Sequence, residues 1–248
     1  MRGRGHAAPT LYDALMPMRR RIHAAVLVAL ALITALVAGC SSSDSASNAP
    51  LPDAATLLKQ SSDTTKNLKS VHLVLQVTGS IPNLPVHSLT GDLTNVPAVA
   101  AKGNANITAF GQTINADFVV ANGNLYAALS PNKWTNFGPA ADIYDPSVIL
   151  DPAKGLANIL ANFTNAKSDG RETINGIRTV RVKGTVNGPV IGAIVPEINN
   201  PVPATAWIRE DGNHDLVRAS VETSPGNTID ITLSNWNQPV TVSAPPGV

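Results

Sequence analysis

From Asp53 onward, apolar and polar residues alternate in short runs separated by turn residues. The first element is an exception. Asp53 follows Pro52 and is a good capping residue, and Leu57, Leu58, Ser61, Thr65 and Leu68 follow at helical spacing, so a helix is predicted there. Next, Val71 to Thr78 alternates strictly: Val71, Leu73, Leu75 and Val77 share one face and His72 lies on the other, the pattern of a half-buried strand. Ile81-Pro82-Asn83-Leu84-Pro85 breaks it. Strands then recur near 87–96, 98–109, 112–121 and 124–130, with Asn122-Gly123 as a type I′ hairpin turn.

A helical stretch follows. Asp145-Pro146 and Asp151-Pro152 each place a capping Asp before a first-turn Pro. Leu156, Ile159, Leu160 and Phe163 fall at i, i+3, i+4 and i+7, one face of a helix. A second β set begins near Arg171, turns at Asn175-Gly176 and runs on from Ile177 to Val186. Pro189 to Val195 is apolar all round and reads as a short buried helix or loop. Strands resume near 203–210, 214–223, 228–237 and 239–243, with turns at 210–213 and 224–227. The pattern is that of an α+β domain over 53–248, with antiparallel strands dominant.

One strand is unusual. Along 98–109 the apolar face reads Val99, Ala101, Gly103, Ala105, Ile107, Ala109, against Lys102, Asn104, Asn106 and Thr108 on the other. A sheet face normally carries larger side chains to fill the roughly 10 Å to the next layer. Above such small residues either a bulky partner or a closely packed helix fills the space, or a ligand does. Both readings stand on the pattern alone.

The segment before the domain differs in kind. Arg19-Arg20-Arg21 precedes an uncharged run from Ile22 to Gly39, in which Ala24 to Ala38 is 15 residues. That is short of the roughly 20 that span a bilayer. A basic start followed by a short apolar run is the pattern of a secretory signal peptide. Residues 1–39 are therefore read as the signal. A signal of ordinary length begins at Met16 or Met18, so residues 1–17 are read as a misassigned start. The run ends Val37-Ala38-Gly39-Cys40, which resembles the bacterial lipobox. Diacylglyceryl attachment to Cys40 anchors the chain to a membrane surface, each buried CH₂ contributing about 0.8 kcal/mol. Residues 40–52, rich in Ser, form a flexible tether.

Composition now takes a different meaning. The chain of 248 residues has a formal charge of +1. From Cys40 onward there are 13 basic and 16 acidic residues, a charge of −3. A nucleic-acid partner, which needs a basic surface, is not expected. Cys40 is the single Cys, so neither disulfides nor a Cys-based zinc site is expected. Aromatic residues are 4% against 44% hydrophobic, so large fillers for a core are scarce.

Catalytic patterns are weak. Neither G-x-S-x-G nor H-E-x-x-H occurs, and no carboxylate pair stands out. Ser130-Pro131-Asn132-Lys133 matches S-x-x-K, but in a Pro-containing turn without the partner motifs. His72, His87 and His214 have no ligand at metal-binding spacing. No metal, no cofactor and no enzymatic activity are expected. The 22 Asn from Cys40 onward are expected mostly at turns, where Asn tolerates left-handed backbone.

Several segments together resemble the mycobacterial LppX/LprA/LprF/LprG lipoproteins. They are Leu51-Pro52-Asp53-Ala54, Ser88 to Thr94, Ala116 to Val120, the specific run Trp134 to Pro146, Gly155 to Asn158 and Pro201 to Thr205. The resemblance implies a strongly curved antiparallel half-barrel with helices on its concave side, shaped like the Lol lipoprotein carriers and enclosing a hydrophobic cavity. It implies a carrier of phosphatidylinositol mannosides, lipomannan, lipoarabinomannan and triacylglycerides, on the outer side of the cell membrane and partly released from it. A major-facilitator exporter is the implied partner, and the chain is read as a monomer. With the resemblance, Val99, Ala101, Gly103, Ala105 and Ile107 become one candidate cavity wall. Ile114, Ala116, Phe118 and Val120 make a second, with Leu156, Ile159, Leu160 and Phe163 closing it, and Ile143 and Tyr144 at the entrance. A structural or adhesive lipoprotein with a packed core, or an envelope hydrolase, are the alternatives.

Overall fold

The computed structural model describes residues 49–109 and 111–248. The signal, most of the tether and Cys40 lie outside the described residues. Helix α1 spans Ala54–Thr65. Its N-cap is Asp53, whose carboxylate accepts from the Thr56 amide at 2.8 Å and the Thr56 hydroxyl at 2.7 Å. The Thr56 hydroxyl, then its amide, hold the Asp53 carboxyl below the usual carboxylate range. A depressed carboxyl contributes stability above its unfolded pKa and loses it as the pH falls through the folded one. Asp53→Ala is therefore expected to lower the thermal midpoint at neutral pH, and Asp53→Asn to keep most of it. Thermal melts at pH 7 and pH 3 check both, since the wild-type advantage must shrink in acid.

Eleven strands make one antiparallel sheet in the order β6-β5-β4-β3-β2-β1-β11-β10-β9-β8-β7. The first meander is β1 (Ser70–Thr78), β2 (Val86–Thr94), β3 (Ala100–Ala109), β4 (Gln112–Ala121), β5 (Asn124–Ala128) and β6 (Trp134–Pro139). The second is β7 (Phe163–Ile174), β8 (Ile177–Val186), β9 (Val202–Arg209), β10 (Leu216–Ser224) and β11 (Asn227–Ser234). They join where β1 pairs with β11, His72 opposite Ser234 through Thr78 opposite Thr228. The sheet is curved and unclosed, with β6 and β7 as its edges.

Between the meanders lie a 3₁₀ turn (Ala140–Asp142), α2 (Ser147–Leu150) and α3 (Leu156–Ala161), and α4 (Gly188–Gly192) lies between β8 and β9. The helices pack on the sheet's apolar face. One core cluster joins Leu57, Leu58, Leu156 and Leu160 to Val71, Leu73, Val180, Val182, Ile208 and Leu233. A second, around α4, joins Ile191 and Ile198 to Ile81, Val186, Val202 and Ile229. α1 is tied to α3 by the buried Ser62 hydroxyl, which donates to the Ala157 carbonyl at 2.8 Å. On the opposite face of the sheet, Trp207 donates to Glu172 at 2.7 Å and lies 4.8 Å beneath the Arg218 guanidinium.

The structure corrects several expected boundaries. Residues 239–243 form no strand. Instead the chain past β11 turns at Asn237, whose amide donates to the Ser70 carbonyl, and Lys102 holds the Thr241 carbonyl at 3.0 Å. Phe163 is not helical: α3 ends at Ala161 and Phe163 begins β7. Strand β7 starts well before Arg171, and β6 was not expected from alternation. Asn83, Asn122, Asn132, Asn175, Asn235 and Asn237 take positive φ in turns and bends, and Asn165 does so at an irregularity within β7, whereas Asn104, Asn106, Asn115, Asn124 and Asn136 lie in strands.

Candidate functional site

The register fixes which sheet face meets the helices. Leu73 pairs with Gly91 and Leu233, Leu89 with Ala105, and Ala105 with Ala116. Successive partners share a face, so the Ala/Gly side of β3 is the helix-facing side. Ala101 and Val120 lie within the packed core beneath α1 and α3, together with Leu156 and Leu160. Val99 precedes β3 and is half-buried.

Gly103 has a different role from its neighbours. It sits opposite Gly91 in the ladder. A Cβ on Gly103 would collide with the Thr90 carbonyl and the Gly91 Cα, and would lie 3.0 Å from the Phe118 ring. The glycine thus allows two backbones to approach closely, and Phe118 lies beside the gap. Beyond it, Ala105 and Ala116 face each other across β3 and β4, both buried, and Ile107 and Ile114 are half-buried.

The same face holds residues that the alternation alone did not single out as a wall. Leu89, Leu125, Leu75 and Val77 lie on it, and all are half-buried. Leu125 was within reach of sequence: the Asn122-Gly123 hairpin sets it opposite Val120. The helical layer also carries half-buried apolar residues. Ile149, Ile159 and Ile194 are half-buried, and Phe163 touches both core clusters. These half-buried apolar side chains of the sheet and of the helical layer pack at the margins of the two core clusters.

Ile143 and Tyr144 follow the 3₁₀ turn and are 58% and 40% exposed. The Tyr144 hydroxyl end is enclosed and donates to the Ile194 carbonyl at 3.2 Å. Burial, and then the charges of Asp145 and Glu197, push its phenol up to about 12. A raised phenol pKa means the folded state holds the proton more tightly. The contribution is complete below pH 10 and is lost as the pH rises through about 12. Tyr144→Phe is expected to remove that alkaline loss and to cost about 0.5–1.5 kcal/mol at pH 7 through the hydrogen bond. Urea titrations at pH 7 and at about pH 12 check it.

Depressions open in the surface formed by the described residues. One of about 450 Å³ lies between the β1–β2 loop, the 196–200 segment and the β10–β11 hairpin. Another, of about 680 Å³, lies among the β7–β8 and β9–β10 turns and Trp236. Neither is lined by the stripe of β3. The first shares Ile81, Ile198 and Val202 with the second core cluster. The three histidines among the described residues have structural partners: His72 meets Asp92 at 2.7 Å, His87 meets Thr108 at 2.8 Å, and His214 meets the Arg209 carbonyl at 3.1 Å. Ser130 to Lys133 forms the β5–β6 turn, closed by the Lys133 amide on the Ser130 carbonyl.

A family model described as LppX_LprAFG lipoprotein matches residues 53–242, the whole sheet and its helices. The chain belongs to this lipoprotein family. It is 51% identical over 232 residues to the lipoarabinomannan carrier protein LprG of Mycobacterium leprae, covering 92% of this chain and 98% of that one. With the lipoarabinomannan carrier protein LprG of Mycolicibacterium smegmatis it shares 55% identity over 220 residues, covering 87% and 93%. The crystal structure of LprF from Mycobacterium bovis matches with a TM-score of 0.73 at 36% identity, over 80% of this chain and 99% of that one. That of the LppX lipoprotein from Mycobacterium tuberculosis matches with 0.61 at 31% identity, over 77% and 98%. The LppX_LprAFG fold is thus the curved, unclosed sheet seen here. Among the described residues of this family member, no helix is long and apolar enough to cross a membrane.

Proposed function

We propose that this protein is a non-catalytic carrier of multiply acylated lipids, anchored through Cys40 to the outer side of the cell membrane. Its cargo class is that of phosphatidylinositol mannosides, lipomannan, lipoarabinomannan and triacylglycerides, passed across the envelope with a major-facilitator exporter as partner. The acyl chains lie between the helix-facing side of β2–β5 and the cover formed by α2, α3 and the 193–200 segment. The observation that carries this reading is the set of half-buried apolar residues on both layers, Leu89, Ile107, Ile114 and Phe118 on the helix-facing side of the sheet and Ile149, Ile159 and Ile194 in the segments that cover it. Apolar surface that its own chain leaves uncovered is stabilised by an apolar ligand. The names of the relatives at about half identity agree with it.

Native mass spectrometry of the protein purified from its own envelope tests the reading. The expected result is a diacylglyceryl-modified chain with intact acylated lipid in the organic extract. A lipid-free extract would favour a packed adhesive lipoprotein and overturn the proposal, as would deacylated products accumulating on incubation with glycolipid. Cys40→Ala is expected to move the protein from the membrane fraction to the soluble one while leaving its circular dichroism unchanged.

A further inference from the structure

The depression at the β1–β2 end has a chemistry of its own. Its volume of about 450 Å³ falls within the roughly 300–1,000 Å³ of small-molecule sites. Its floor includes Ile81 and Ile198, both buried and both members of the second core cluster. Its rim carries the amides of Asn83, Asn199 and Asn200, the Glu197 carboxylate, and no Lys or Arg. The side chains of Asn83, Asn199 and Asn200 are exposed. Asn227 instead serves as a strut: its amide oxygen accepts from the Ser80 amide at 3.2 Å, and its NH₂ donates to the Ser224 hydroxyl at 2.8 Å.

An amide side chain both donates and accepts, which suits adjacent hydroxyls, and a carboxylate accepts from hydroxyls. The rim offers no cationic side chain to a phosphate, so it contacts the hydroxyls of a headgroup and not its phosphodiester. We infer that this depression seats an uncharged sugar ring of a glycolipid whose acyl chains enter beside Ile81 and Ile198. The inference rests on the carrier reading and adds a headgroup subsite to it. Tyr144 borders the same segment: its hydroxyl holds the Ile194 carbonyl and feels the Glu197 charge. The rim is also held without its recognition amides. A Cβ on Gly188 would strike the backbone of Asn199 and Asn200, so close backbone packing at Gly188 sets the position of that segment.

The test uses the full chain carrying Asn199→Ala together with Asn200→Ala, and separately Asn83→Gly, which removes an amide at a position with φ of 63° without backbone strain. Three probes are compared in one detergent: a mannosylated phosphatidylinositol, a phosphatidic acid and a triacylglyceride. The expected result is about tenfold weaker binding of the mannosylated lipid, equivalent to about 1.4 kcal/mol, with the other two within twofold of wild type. Equal weakening of all three probes overturns the subsite, as does a loss confined to phosphatidic acid. No change with any probe overturns the subsite and leaves the carrier reading standing. Failure of the wild-type protein to bind all three overturns both.

Discussion

Ala105→Trp is expected to abolish retention of acylated lipid while leaving the thermal midpoint close to wild type. Ala105 lies on the helix-facing side between Leu89 and Ala116, and the next row along the sheet is Ile107 and Ile114, both half-buried. An indole at this point takes the place of the acyl chain proposed to lie there. The two measurements separate the competing accounts. In a fully packed core the added ring is an overpacking error costing about 1–3 kcal/mol, so stability falls. In a binding space the ring substitutes for cargo, and lipid in the organic extract falls instead. A variant that retains wild-type lipid would remove this part of β3 from the site.

Leu233→Ala is expected to be the most damaging single truncation in the domain, costing about 2–5 kcal/mol. Leu233 is 1% exposed, stands opposite Leu73, and belongs to the main core cluster. It sits on β11, at the pairing that unites the two meanders. Against a typical total of about 5–15 kcal/mol, the loss is a large share. Urea unfolding should show a lower midpoint with an unchanged slope, because one cooperative unit is weakened throughout. A loss below about 1 kcal/mol would mean that the site collapses around the missing atoms and that the seam is not a tight contact.

The central strands were legible because each has two neighbours and one buried face. Val71, Leu73, Leu75 and Val77 alternate against polar partners, and 112–121 matches β4. The edges were not. β7 carries Lys167, Ser168, Asp169, Arg171 and Glu172, and two irregularities in its pairing with β8 break the period of two. β6 has six residues and ends in Gly138 and Pro139. Charges, bulges and short length are how sheet edges resist further pairing, and they erase the alternation that identifies a strand. α3 was read too long because Phe163 kept the helical spacing for one step after the helix had stopped.

The stripe on β3 shows a second limit. Small residues in sequence signal room, but not what uses it. At Ala101 the room is taken by the packed core. At Gly103 it is taken by the neighbouring backbone of Gly91 and the edge of Phe118. Toward Ala105 and Ile107 the neighbours Leu89 and Ile114 are half-buried. Register and cover, which one strand cannot report, decide among these uses.

The pairing of β1 with β11 also orders events in time. β1 is made early and its partner last, some 150 residues later. Contacts of such long sequence separation form slowly, because the intervening chain must be gathered first. As the chain emerges from its amino end, the first meander presents β1 as an open edge until residues 227–234 arrive. A domain whose central pairing waits for its final strand stays unfinished until nearly the whole chain is free to pair. Its apolar face takes its final form only when residues 227–234 have closed the seam.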